Sequence, residues 1–329
     1  MFHAPGTYIG PYRIIKPLGA GNAATVYLAV AREREVALKV RTRHTDSPKE
    51  HFLEARFREG ARLQSWLSHP NIVWLYERLE LEAYQAVALE VLGGGTLSDY
   101  IKRSAPLNER ALCAIGFALS DALDHIHELG IIHRDLKPDN ILLSTSPIGG
   151  DSSLPLTPKL SDFDVSRHPQ LTASITEPGS QVGTLWYTSP EQFDQSLPAP
   201  QDDVYSLGLT LFESCARHLP FEPLNSASVF KRFLDHEPLP SLRATRPELS
   251  AGFEWIVERA AESRLALRVP SASTLALLLM GASPQLAQSA RAPFMQRRAD
   301  KAWISDQLRT APSAVQAQLS PSLEALGLT

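Results

Sequence analysis

Cysteine is scarce: Cys113 and Cys215 are the only two in 329 residues. Two thiols allow at most one disulfide, which excludes a disulfide-stapled scaffold. Both lie in apolar, helix-like stretches, where they read as buried thiols kept reduced. Long apolar runs are missing too. The longest, around residues 274–280, falls far short of the roughly 20 residues needed to cross a bilayer, and no cleavable secretory signal opens the chain. Charge of one sign is not in excess either: 32 Lys and Arg stand against 36 Asp and Glu, for a net charge of −4. Nucleic acid is therefore not expected as the main partner. No internal repeats stand out. What these absences leave is a soluble globular protein, expected in the cytoplasm, whose 43% hydrophobic content supports a sizeable core.

What is present is concentrated in residues 131–143, Ile-Ile-His-Arg-Asp-Leu-Lys-Pro-Asp-Asn-Ile-Leu-Leu. Asp135, Lys137 and Asn140 share one loop between an amphipathic helix and an apolar, strand-like run. The helix is expected over residues 109–129, capped by Asn108 and ended by Gly130. The loop supplies a carboxylate to accept a hydroxyl proton, a cation to offset phosphate charge, and an amide oxygen for a metal. Those are the requirements of phosphoryl transfer, in which a protein mainly positions reactants and neutralises charge. The bland reading is an acidic turn between helix and strand.

The run resembles the catalytic loop of protein kinases, with Lys137 and Pro138 in the form typical of the Ser/Thr branch. Companion signatures fall in the family's order. Upstream, Leu18-Gly19-Ala20-Gly21-Asn22-Ala23-Ala24-Thr25-Val26-Tyr27 reads as strand, glycine-rich turn, strand. Without side chains at Gly19 and Gly21, the backbone can approach a triphosphate closely; Ala24 stands where the family usually has a third glycine. Val36-Ala37-Leu38-Lys39-Val40 is an apolar strand interrupted by one lysine. A core-facing lysine needs a partner, so Lys39 is expected to meet both a carboxylate and a phosphate. The resemblance places that carboxylate on a helix over about residues 48–66, with Glu54 and Glu59 as candidates. Glu59 is preferred because Leu63 lies one turn beyond it, although the stretch from Glu59 to residues 68–73 is one residue longer than usual. In the stretch 87–97, Leu89 would guard the deeper pocket, and main-chain groups of Glu90 and Leu92 would bind adenine.

Downstream, Asp162 and Phe163 match the metal-binding aspartate and the aromatic behind it, with Asp164 in place of the family's glycine. The segment from Asp162 to Glu191 has ordinary activation-segment length, with Ser189 in place of a common alanine. Thr184 should contact Asp135 and Lys137. Glu191 should form a buried bidentate pair with Arg268, and Asp203 should anchor the catalytic-loop backbone from a buried helix. The resemblance thus implies a bacterial-type, eukaryotic-like Ser/Thr protein kinase of α+β class. Its bilobal fold would set a small antiparallel sheet with one helix (residues 12–92) against a mainly helical lobe (93–280). Residues 1–11 read as a leader. Residues 281–329 form an Ala-, Pro- and Gln-rich tail of unknown role, in which Trp303 either packs onto the core or meets a partner surface.

The same resemblance assigns Asp135, Lys137, Lys39 and Glu59 to catalysis. It assigns Leu18, Gly19, Gly21, Val26, Ala37, Lys39, Glu90, Leu92, Asn140 and Asp162 to ATP, and Asn140 and Asp162 to Mg²⁺ or Mn²⁺. The partners implied are proteins with Ser or Thr acceptors, and a second copy of the chain for autophosphorylation. Arg134 would receive an activation-segment phosphate, with Thr172, Ser174, Thr176 and Ser180 available and Thr176 or Ser180 preferred. The Ser-, Pro- and Gly-rich stretch 144–159 reads as an elongated surface turn between two strands. Two other classes compete with this one. A kinase-shaped binding protein would be signalled by Ala24 and Asp164. A small-molecule phosphotransferase would normally lack the Lys137-Pro138 pair and the 184–191 segment.

Overall fold

The structure, a computed structural model, describes residues 3–21, 24–43, 47–104, 106–147, 156–164, 166, 186–194, 196–221, 226–283, 286 and 295–329. Six strands form one antiparallel sheet: β1 (Tyr8–Ile9), β2 (Tyr12–Ala20), β3 (Thr25–Ala31), β4 (Arg34–Thr42), β5 (Leu75–Glu80) and β6 (Tyr84–Leu89), in the order β1-β2-β3-β4-β6-β5. Alternation along β4 sorts its side chains. Val36, Leu38 and Val40 enter a core with Ile14, Tyr27, Ala29 and Ala88, while Ala37 and Lys39 face the other way. Lys39 lies opposite Val26 and Val87, and Ala37 opposite Leu89, so these five residues share the face covered by helix α1 (Pro48–Gln64). Ser47 starts that helix by accepting from Glu50 N–H, and Phe57 and Ala61 on it pack with Val87.

The expected leader is part of the sheet. Tyr8 and Ile9 pair with Arg13 and Tyr12, and Ile9 is buried. Burying one large aliphatic side chain stabilises by about 1.5–3 kcal/mol, enough to dock a two-residue strand onto its neighbour.

The second lobe begins with α2 (Leu97–Arg103) and α3 (Glu109–Glu128). Helix α3 is capped by Asn108, which accepts from Ala111 N–H, and Gly130 follows it at φ 72°. A two-stranded ladder of β7 (Ile141–Pro147) and β8 (Leu156–Leu160) comes next, so both strands reach into the 144–159 stretch expected to be a turn; residues 148–155 lie outside the described residues. Then come α4 (Pro190–Phe193), α5 (Pro200–Ala216), α6 (Ser226–Asp235), α7 (Leu242–Thr245), α8 (Ala251–Ala260) and α9 (Ala272–Ala282). Helices α3, α5, α8 and α9 enclose the main core, with Leu112, Leu119, Leu211, Ile256 and Leu275 fully buried.

The boundary expected at residue 280 falls inside α9. Two further helices, α10 (Lys301–Thr310) and α11 (Ser313–Ala325), belong to the same core: Ile304, Val315, Leu319 and Leu323 are buried in it and Trp303 packs against it. Arg298 ties this segment to the end of α3 through Asp124, at 2.7 Å, and Glu128. No helix among the described residues is long and apolar enough to cross a membrane.

Candidate active site

The cleft between the sheet and the helical lobe collects the chemistry-bearing residues. Asp203, on α5 and fully buried, organises the loop from below. Its carboxylate accepts from His133 N–H and Arg134 N–H at 2.8 Å each, and from His127 Nε2 at 2.8 Å. Burial alone would push this carboxyl up. The bond from His127, the nearby His133 and the Arg134 amide override it and hold the carboxyl below its ordinary range. His127 is a member of this network that the sequence reading missed; its signal is its place in the last turn of α3, just ahead of the loop. Arg134 takes a left-handed backbone, φ 69°, which costs a non-glycine residue about 1–2 kcal/mol and is held by the bond to Asp203.

Above this anchor, Lys137 Nζ donates to both carboxylate oxygens of Asp135 at 2.8 Å. Asn140 Nδ2 donates to the Asp135 carbonyl and to its Oδ2, each at 2.8 Å. These bonds turn the Asn140 amide so that Oδ1 is its free donor atom. Ser161 N–H and Oγ both bond the Asn140 carbonyl, tying the loop to the strand that delivers Asp162. The three residues expected to act together are therefore assembled around one carboxylate.

On the sheet side, Lys39 Nζ donates to Asp162 Oδ1 at 3.0 Å and to Asp164 Oδ2 at 2.8 Å. Burial pulls the ammonium's pKa down, but the two carboxylates override it and hold Lys39 well above the ordinary lysine value. Two carboxylates share one cation, and they separate: Asp162 is lowered by Lys39 against its burial, while burial and the neighbouring Asp162 push Asp164 up. Asp162 also has a left-handed backbone, φ 62°. Phe163 behind it is buried edge-on against His133, with ring centroids 4.9 Å apart.

The expected Lys39–Glu59 pair is not formed. Glu59 instead forms two hydrogen bonds with Arg62, at 2.9 and 2.8 Å, and Glu54 pairs with Arg58 and Arg43. The physical reason lies in the helix register. Phe57 and Gly60, one turn apart, face Lys39 and the 163–164 backbone, which turns both glutamates aside.

The remaining expected residues lie on the sheet and on the chain that follows it. Val26, Ala37 and Lys39 share a sheet face with Leu89, and Leu18, Gly19 and Gly21 lie on the β2–β3 hairpin, where Gly21 N–H bonds the Ala24 carbonyl. Beyond β6, Glu90 N–H donates to Trp74 O, which leaves the Glu90 carbonyl as the main-chain group for a ligand. Its side chain pairs with Lys159 Nζ at 2.7 Å, a contact that sequence spacing does not signal. Leu92 follows, half-buried. At the far end of the lobe, fully buried Arg268 grips Glu191 through Nη1–Oε2 at 2.7 Å and Nη2–Oε1 at 3.1 Å, the bidentate pair expected. Ser189 caps α4 and bonds Asp202 at 2.7 Å. Thr172, Ser174, Thr176, Ser180 and Thr184 lie outside the described residues.

Comparison with known families matches residues 12–271 to the protein kinase domain. The chain belongs to the protein kinase family. Among curated relatives, it is 36% identical over 254 residues to the probable serine/threonine-protein kinase PknB of Lactococcus lactis, which is 76% of this chain and 38% of that protein. It is 33% identical to the serine/threonine-protein kinase PrkC of Bacillus subtilis, over 76% of this chain and 37% of the relative. Against PknJ of Mycobacterium tuberculosis the identity is 35%, over 78% and 42%. The chain thus spans about two fifths of the length of these relatives. Among solved structures, the kinase domain of Mycobacterium tuberculosis PknI (C20A mutant) superposes with a TM-score of 0.61 at 25% identity, covering 84% of this chain and 97% of that one.

In this kinase, the Asp162 carboxylate and the Asn140 amide oxygen are the donors that would hold a divalent cation. Both are hard oxygen donors, and the Asp162 side chain is 40% exposed. Two protein oxygens, with water and phosphate completing the shell, fit Mg²⁺.

Proposed function

We propose that this kinase transfers the γ-phosphate of ATP to Ser or Thr hydroxyls of proteins, its own included. The observation that carries this reading is the Asp135 carboxylate, fixed at once by Lys137 and Asn140 on a loop anchored by Asp203. A group so held orients an incoming hydroxyl and takes its proton without rearranging during the reaction. Lys137, bonded to the same carboxylate, offsets charge on the transferring phosphoryl group. Lys39 holds the phosphates from the sheet side, beneath the Gly19–Gly21 turn, and Glu90 and Leu92 offer main-chain groups to adenine. Mg²⁺ held by Asn140 and Asp162 would supply charge neutralisation on the phosphates; Mn²⁺ suits the same oxygens. The Lys137-Pro138 pair and the curated Ser/Thr kinases named above support protein hydroxyls as acceptors. An ATP-dependent reaction supports a cytoplasmic site of action, and autophosphorylation implies encounters between copies, with Thr176 or Ser180 as the preferred sites.

The test is incorporation of labelled γ-phosphate from ATP and Mg²⁺ into the full chain and into a Ser/Thr-containing test protein. Wild type is expected to label both and Asp135→Asn neither. Wild-type protein that binds nucleotide yet transfers no phosphate would sink the proposal. Mass spectrometry of the labelled chain locates the acceptors, and an unmodified 167–185 segment would overturn the choice of sites.

A further inference from the structure

Lys39 is bound by two carboxylates, and neither comes from the helix beside it. All three glutamates on the sheet-facing stretch of α1 are engaged elsewhere: Glu50 with Arg41, Glu54 with Arg58 and Arg43, and Glu59 with Arg62. Where the helix comes nearest Lys39 it carries Phe57, whose ring centre lies 5.7 Å from Nζ, and then Gly60. A Cβ on Gly60 would lie 2.6 Å from the Phe163 carbonyl oxygen and 2.8 Å from the Asp164 Cα. The helix backbone therefore rests directly on the backbone that presents Asp164. One residue before Phe57, Arg56 Nε donates to the Asp164 carbonyl at 3.3 Å, holding the same peptide from the side. The Asp164 carboxylate is left pointing at Lys39 and is only 20% exposed.

These contacts form one exchange. A carboxylate that a helix side chain would otherwise deliver is delivered instead from the segment after Phe163, and the helix has given up its own side chain at the point of contact. We infer that Asp164 is the positioning residue for Lys39, taking the place expected of a helix glutamate, with Gly60 supplying the room it needs. Asp164 would act on the phosphates only through the ammonium it bonds, and it would keep that ammonium in place when Asp162 takes a cation.

The inference deepens the kinase reading and rests on it for the meaning of the contact, so the experiment separates the two. Double-mutant cycles on the full chain, read by thermal unfolding, compare Lys39→Met with Asp164→Asn and Lys39→Met with Glu59→Gln. This readout needs no activity. The Lys39–Asp164 cycle is expected to show a coupling of about 2–4 °C in Tm, and the Lys39–Glu59 cycle none. Coupling to Glu59 rather than Asp164 would overturn the inference, whether or not the wild type transfers phosphate. In the active protein, Asp164→Asn and Asp164→Gly are each expected to lower kcat/KM for ATP by about tenfold, the loss of one charge-assisted contact. Asp164→Glu, which keeps the charge, should recover part of it. An Asp164→Gly protein as fast as wild type, or faster, would make the pair a brake on Lys39 and overturn the positioning role.

Discussion

Arg268 and Glu191 close the helical lobe. The fully buried guanidinium bonds both carboxylate oxygens of Glu191 and also the carbonyls of Glu262, Gln201 and Ser263. One side chain thereby joins α4, the start of α5 and the turn after α8.

Arg268→Ala removes a fully buried guanidinium and leaves Glu191, 22% exposed, and three carbonyls without their donor, a loss of about 3–5 kcal/mol on the scale of a broken buried pair. Arg268→Ala is expected to lose that much in urea unfolding. Arg268→Lys recovers only a minor part, because an ammonium cannot reproduce the planar fork. Equal stability of Arg268→Ala and wild type would contradict this account of the lobe.

Asp203 gives a pH-dependent prediction. Its folded-state pKa lies below the ordinary carboxyl value, so its stabilisation is fully present above the unfolded-state pKa of about 4 and fades as pH falls through the folded value. Asp203→Asn should lose about 2–3 kcal/mol at pH 7, the scale of a hydrogen bond to a charged group. The gap between the two proteins should narrow below about pH 4. A gap that stays constant from pH 7 to pH 3 would show that the carboxylate charge is not the source.

Gly208 on α5 sets two preferences against each other. Alanine favours helix by about 1 kcal/mol over glycine, yet a Cβ there would lie 2.7 Å from the Ala261 backbone nitrogen. Backbone does not move aside as a side-chain tip does, and overpacking of this kind costs about 1–3 kcal/mol. Gly208→Ala should therefore be less stable than wild type by thermal unfolding, and a rise in Tm would mean that α5 and α8 are packed more loosely than described.

Truncation after residue 282 tests the last two helices. Val315, Leu319 and Leu323 are almost fully buried, and each contributes about 1.5–3 kcal/mol by leaving water. The shortened chain is expected to unfold at least several degrees lower, or to aggregate through the exposed faces of α8 and α9, as followed by scanning calorimetry and light scattering. An unchanged Tm would mean that the two helices add nothing to the core.

What could be read in advance follows from what a linear pattern encodes. The span of α3 and its Asn108 cap were legible because the helix is long, periodic and bounded by a capping residue and a glycine. The Glu191–Arg268 pair and the Asp203 anchor were legible only through the family resemblance, since their partners lie far apart along the chain. The partner of Lys39 was not legible. Spacing puts acids on a helix but does not say which of them nearby arginines will take, and Arg41 arrives from β4 and Arg43 from the residue just after it. The strand at residues 8–9 is too short to show a period. In the tail, Val315, Leu319 and Leu323 do recur at helical spacing, but Pro321 sits among them inside the helix, and proline ordinarily argues against one.

The two left-handed residues at the site, Arg134 and Asp162, carry a consequence for where its shape comes from. Neither is glycine, so neither would hold this backbone in a free peptide. Arg134 is kept in it by a bond to Asp203 on α5, and Asp162 by its bond to Lys39 on β4. A peptide copied from residues 131–164 would carry every recognisable motif of the catalytic loop and yet relax out of its geometry. The constellation belongs to the assembled lobes, and transplanting it to another scaffold requires carrying β4 and α5 along with it.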